Sequence, residues 1–132
     1  MKIIYLHQYF RTPEMSGGTR SYEMARRLVA AGHEVHMVTS KTDGGDNSGA
    51  WIQEQVDGIH VHWLPVPYSN AMGIARRLLA FSTFARKAGK YASNLEADVV
   101  FATSTPLTIA LPGVKASRAL NVPLVFEVRD LW

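Results

Sequence analysis

The chain has 132 residues, enough for one domain around one core, and its 47% apolar and 19% charged residues exclude a disordered polypeptide. It contains no cysteine, which rules out disulfides, thiolate metal sites and a cysteine nucleophile. The net charge is +3, and residues 71–95 hold five basic side chains (Arg76, Arg77, Arg86, Lys87 and Lys90) and no acid.

The rest of the chain holds nine basic and eleven acidic residues, so the whole positive excess lies in that one segment. Nucleic acid, an anionic membrane or an anionic substrate each fits such a segment. No apolar run approaches a leader core or a membrane span. The expectation is a protein that is soluble or peripheral to a membrane.

Residues 2–7 (KIIYLH) are short, apolar and rich in branched side chains, which predicts a buried strand. Residues 8–18 form a loop with Pro13, Gly17 and Gly18. Residues 19–31 place Tyr22, Ala25, Leu28 and Val29 at helical spacing, and Gly32 ends that helix in the left-handed conformation. Residues 34–39 (EVHMVT) predict a second strand, followed by a long glycine- and aspartate-rich surface loop over 41–50. Asp57-Gly58 is a hairpin signal, so residues 59–64 (IHVHWL) form a third strand paired with 51–56.

Residues 72–95 predict a long helix. Ile74, Leu78, Phe81, Ala85, Ala88, Ala92 and Leu95 make its core stripe. Leu79, Phe84 and Tyr91 add apolar bulk beside the basic residues, as on a membrane-surface element. Residues 98–102 (DVVFA) predict a fourth strand. A helix follows, capped by Thr105, begun by Pro106 and kinked at Pro112. Residues 124–128 (LVFEV) predict a fifth strand, with Arg129 and Asp130 just beyond it. Strands alternating with helices imply an α/β fold: a Rossmann-like parallel sheet with helices on both faces.

Ligands of open parallel sheets bind outside the carboxyl ends of the strands. The Gly17-Gly18-Thr19 loop opens the first helix, where backbone N–H groups and the helix dipole favour a phosphate. It serves equally as a tight folding turn. His7, Gln8 and Arg11 follow the first strand and suit hydrogen bonds to a polar ligand. Arg129 suits a phosphate, and Asp130 a proton or a hydroxyl. His60 and His62 share a strand face, but no third ligand is apparent nearby, so a surface pair on an edge strand is expected and no metal site. His33 and His36 are given structural roles. No cofactor is expected: the first loop lacks G-x-G-x-x-G and the second strand ends in Thr39-Ser40 with no acid for a ribose.

Four segments together resemble one family: KIIYLHQYF, GGTRSYEMARRLVAAGHEVHMVTS, FATSTPLTIALPG and VPLVFEVRDLW. They resemble the N-terminal domain of family 4 glycosyltransferases, whose GT-B fold faces two Rossmann-like domains. The nearest similarity is to aminodeoxyhexose transferases of bacterial surface-polysaccharide assembly. The resemblance implies retaining transfer from a UDP- or GDP-sugar to a lipid-linked saccharide, on the cytoplasmic face of the plasma membrane. It places Gly17 and Gly18 by the donor diphosphate and Ser104, Thr105 and Pro106 beside the acceptor cleft. It rests the basic helix on the membrane. Arg129 stands where many members carry a histidine, with Asp130 next, so catalysis is expected at this pair. Residues 1–132 are then one acceptor-side domain lacking the C-terminal donor-binding domain, inactive by itself. A non-catalytic partner subunit and a flavodoxin-like nucleotide-binding domain are the competing readings. Nucleic acid is not expected, because no reading motif accompanies the basic stripe.

Overall fold

The computed structural model of the chain describes residues 1–41, 50–66 and 73–129. Its strands are β1 (Lys2–Leu6), β2 (Glu34–Lys41), β3 (Ile52–Val56), β4 (Ile59–Pro65), β5 (Val99–Thr103) and β6 (Leu124–Glu127). The helices are α1 (Arg20–Ala30), α2 (Ile74–Ala92) and α3 (Ala110–Leu120), the last preceded by a 3₁₀ turn at Leu107–Ile109.

The strands form one sheet in the order β3-β4-β2-β1-β5-β6. Only β3 runs antiparallel, and it lies at the edge. The hairpin expected at Asp57-Gly58 is present. Both residues take positive φ (49° and 84°), the backbone a two-residue primed turn needs. The Tyr22 hydroxyl of α1 donates to the Asp57 carboxylate and ties this turn to the first helix. Gly32 likewise takes positive φ just after α1.

Alternation along the strands sends two sets of side chains to two faces. Ile3, Tyr5, Val35, Met37, Ile59, Val61 and Trp63 pack under α1 with Phe10, Tyr22 and Ala25. Ile4, Leu6, Val38, Leu64, Val100 and Ala102 pack under α2 and α3 with Phe84, Ala88, Ala92 and Ala116. Both faces are covered over β2, β1 and β5, as their near-continuous apolar sequences predict, whereas Val125 and Phe126 of the edge strand β6 are exposed.

Three local expectations are corrected. The core stripe of α2 runs through Ala80, Phe84, Ala88 and Ala92, whereas Ile74 and Leu78 are 69% and 56% exposed. A line of four-residue steps fits α2 against the sheet and α3, and small residues on it allow close approach. Phe84 is therefore core, and Tyr91 stacks on Trp51 at 4.1 Å; neither is free for a membrane. Pro106, rather than Thr105, stands at the cap position, in extended backbone before the 3₁₀ turn. Pro112 lies in the first turn of α3, where its missing N–H costs nothing, so the break falls before it. Finally, His60 and His62 are not on an edge strand, because β3 covers that side of β4.

Candidate functional site at the carboxyl edge of the sheet

The chain leaves β1 toward β2 on one side and returns to β5 on the other, so the strand order reverses between β1 and β5. The carboxyl end of that junction is the crevice where doubly wound folds bind ligands. His7 follows β1, Ser104 follows β5, Arg129 follows β6, and the first turn of α1 opens beside them.

A polar network joins these ends. Arg20, the first residue of α1, donates from both Nη atoms to the two carboxylate oxygens of Glu127, at 2.7 and 2.6 Å. Such a planar fork is the strongest ion-pair geometry. Thr103 Oγ1 donates to Glu127 Oε1 at 2.7 Å and accepts from Arg129 Nε at 2.9 Å. Arg129 Nη2 donates to Ser21 Oγ at 2.7 Å, and its backbone N–H donates to Ser104 Oγ at 2.8 Å. The Arg20 fork holds the Glu127 carboxyl well down, at about 2, with help from Thr103 and Arg129. Glu127 is thus ionised, and the trio of Arg20, Glu127 and Arg129 carries one net positive charge.

His7 and Gln8 are buried beside this network at 6% and 1% exposure. Burial lowers the His7 imidazole to about 3, reinforced by Arg129, Arg11 and Arg20. It is neutral at pH 7. His7 Nδ1 and Gln8 Nε2 have no hydrogen-bond partner among the described residues. A buried polar atom without a partner costs about 1–3 kcal/mol, so these two await a water or a ligand.

Gly17 takes φ +115°, a backbone that favours glycine, and a Cβ there would lie 3.3 Å from Arg11 Cγ, which would have to shift slightly. Gly18 has no such constraint; nothing lies within 4 Å of its Cβ position. Thr19 occupies the cap position of α1 without a side-chain capping bond. Arg11 is half-buried and donates to the Phe10 carbonyl at 3.0 Å. Ser104 is buried inside the network and Thr105 is exposed. Asp130 lies outside the described residues.

The structure therefore brings Arg129, Ser104 and His7 together. It adds Arg20, Ser21 and Glu127, which pattern reading missed, and Thr103 at the end of β5 joins them to Arg129. Glu127 had a usable signal: a carboxylate ending the apolar run LVFE becomes partly buried with its strand and then needs a cation.

On α2, Arg76, Arg86 and Lys90 are exposed and Arg77 and Lys87 are half-exposed. Leu79, at 66% exposure, joins Ile74 and Leu78 in an apolar patch at the first turns of α2. The 3₁₀ turn packs against α2, and its Leu107 and the following Leu111 are 44% and 65% exposed. Among the described residues no helix is long and apolar enough to cross a membrane.

An open, almost wholly parallel sheet with its polar cluster at the switch point is the N-terminal half of a GT-B glycosyltransferase fold. Residues 17–132 match the family described as glycosyl transferase 4-like domain, and the chain belongs to that family. No curated protein matches it.

Among solved structures, it resembles the C-terminal domain of a hydrogenase from Pyrococcus furiosus at TM-score 0.65 and 13% identity, over 96% of this chain and 90% of that one. It also resembles a structure described as trehalose-6-phosphate from E. coli bound with UDP-2-fluoro glucose, at TM-score 0.60 and 13% identity. The match covers 96% of this chain and 32% of that one. An OtsA apo structure matches at TM-score 0.58 and 12% identity, over 96% and 33%. The chain thus spans about a third of the length of these last two. At such identities the likeness establishes the fold.

Proposed function

We propose that this domain is the acceptor-side half of a retaining glycosyltransferase that moves a sugar from a UDP- or GDP-sugar to a lipid-linked saccharide in bacterial polysaccharide assembly. The observation that carries the reading is the pair of unpartnered buried nitrogens, His7 Nδ1 and Gln8 Nε2, at the edge that holds the Arg129 network. Sugar hydroxyls are both donors and acceptors, so they can satisfy a neutral imidazole and an amide without adding charge. Ser104, Thr105 and Arg11 border the same edge and complete the acceptor side.

Arg129 is pre-positioned by Thr103 and Ser21, so it needs no reorganisation to meet charge developing on a departing diphosphate. Gly17, Gly18 and Thr19 lie at the N-terminus of α1, where a phosphate gains from the dipole. Asp130 is the candidate to accept the acceptor's proton. The donor's nucleotide is held by a second domain, whose closure over this edge excludes water. The neighbour carrying UDP-2-fluoro glucose supports a nucleotide-sugar donor in kind.

Ile74, Leu78, Leu79, Leu107 and Leu111 are exposed near the same edge, with Arg76 and Arg77 in the same turns of α2 and Arg86, Lys87 and Lys90 further along it. Apolar bulk beside unopposed cations suits the headgroup region of an anionic bilayer. We place the enzyme at the cytoplasmic face of the plasma membrane, where a lipid-linked acceptor is presented to the cleft.

The test is release of nucleoside diphosphate from a panel of UDP- and GDP-sugars with lipid-linked acceptor. It compares this chain alone with the same chain joined to a following donor-binding domain. Turnover by the two-domain protein alone, abolished by Asp130→Ala, supports the reading. A two-domain protein inert on every donor removes it.

A further inference from the structure

At the opposite, amino edge of the sheet lies a second polar cluster that sugar transfer does not use. Parallel pairing of β2 with β4 sets His36 directly beside His60, and Glu34 and His62 lie on the same face two residues along each strand. We propose that Glu34, His36 and His60 bind a divalent transition-metal ion of the zinc class, with His62 and Tyr91 as supporting residues.

One ligand atom from each of Glu34, His36 and His60 lies within 4.8 Å of the others. Tetrahedral binding with bonds near 2.1 Å needs donors about 3.4 Å apart. Glu34 is exposed and His60 half-exposed, so side-chain rotation alone closes the difference. Two imidazoles and one carboxylate select zinc, nickel or copper over calcium and magnesium, which prefer all-oxygen sets. An open pocket of about 260 Å³ lined by His36, Gln53, Gln55, His60 and His62 leaves room for a water as the fourth ligand.

The hydrogen bonds around the cluster support this use. Gln53 Nε2 donates to Tyr91 Oη at 3.2 Å, and His62 Nδ1 lies 2.6 Å from that hydroxyl. His62 Nε2 lies 2.9 Å from His36 Nδ1, and His36 Nε2 lies 2.8 Å from Glu34 Oε2. With both rings neutral, one direction satisfies every atom: Tyr91 donates to His62, His62 to His36, and His36 to Glu34. A metal ion on His36 Nε2 moves that proton to Nδ1 and reverses the chain. His36 then donates to His62 and His62 to Tyr91, with the number of protons unchanged. Metal-bound histidines are held this way, by a second-layer acceptor on the far nitrogen.

His60 stands outside the chain. It stacks on His36 with centroids 4.8 Å apart and makes no side-chain hydrogen bond among the described residues. Its nitrogens are therefore available to an ion. The Lys2 ammonium is bonded to Glu96 at 2.9 Å and reaches Glu34 only through its field.

The experiment is zinc titration of the metal-stripped full chain against a chromophoric chelator, with cobalt(II) absorption as a readout of geometry. The expected result is one zinc per chain, a visible cobalt spectrum of four-coordinate type, and a thermal midpoint that rises with zinc. His60→Asn and Glu34→Gln should weaken zinc by roughly ten- to hundredfold, with metal-free thermal midpoints unchanged because both side chains reach solvent. The control is His33→Asn. His33 Nδ1 lies 3.1 Å from the N-terminal amine and could bind zinc there instead. Parent-like affinity in His33→Asn supports the proposal. Loss in His33→Asn with retention in His60→Asn and Glu34→Gln overturns it, as does the absence of stoichiometric zinc or of the cobalt spectrum.

Discussion

At the carboxyl edge of the sheet two guanidiniums close around one carboxylate, and burial and those same arginines lower the buried histidine next to them to about 3, so that it is neutral at pH 7. At the amino edge three imidazoles adjoin one carboxylate, and His62 is held near 4 by burial and by its histidine neighbours. The first cluster carries net positive charge and lies where four chain segments converge. The second sets one carboxylate among three imidazoles and lies on two paired strands and a helix flank. One sheet can therefore present an anion-ready end and a cation-ready end. The reason is that strand ends collect loop residues of distant origin, whereas strand faces collect residues two apart.

The largest expected effect tests whether the carboxyl edge alone is catalytic. In the two-domain protein, Arg129→Ala should lower nucleoside diphosphate release by about 100-fold or more, as for loss of one pre-positioned donor. Arg129→Lys should not restore it, since an ammonium cannot reach Thr103 and Ser21 together. His62→Asn at the other edge should leave turnover at the parent level. Equal losses at both edges would break the distinction.

Stability separates the two carboxylates next. Glu127→Gln removes the charge that Arg20 and Thr103 bind, and should cost about 1–3 kcal/mol in urea unfolding. Glu34→Gln, at an exposed carboxylate, should leave the urea midpoint in place.

Acid should then act through the carboxyl edge. Glu127 is depressed from 4.5 to about 2, so its contribution is present above the unfolded value and is lost as pH falls through that window. His7 is depressed from 6.5 to about 3; the unfolded chain takes up its proton first, so stability also falls between those values. Thermal midpoints measured from pH 7 to 3.5 should decline, and His7→Asn should flatten the upper part of that decline.

The smallest effect concerns the glycine loop. Gly17→Ala should cost about 1 kcal/mol from positive φ, whereas Gly18→Ala should leave stability unchanged. A raised donor KM in Gly18→Ala would mark close approach of a phosphate. An unchanged KM would reduce the loop to a turn.

Some of the site was legible because it depends on chain position. His7, Ser104 and Arg129 each follow a strand, and strands announce themselves by short apolar runs. Arg20 and Ser21 were not legible: Arg20 meets Glu127 across 107 positions, and no local pattern records that contact. The third imidazole beside His60 was missed for the same reason, since His36 is brought there by strand pairing.

The sequence by itself determined the α/β alternation, the hairpin at Asp57-Gly58, the end of α1 at Gly32 and the family. Each of these follows from periodicity, turn chemistry or motif order along the chain. Tertiary structure decided which stripe of α2 is core, which strand lies at the edge, and which cations meet which carboxylates. Those outcomes rest on strand order and register, which bring residues many positions apart into contact.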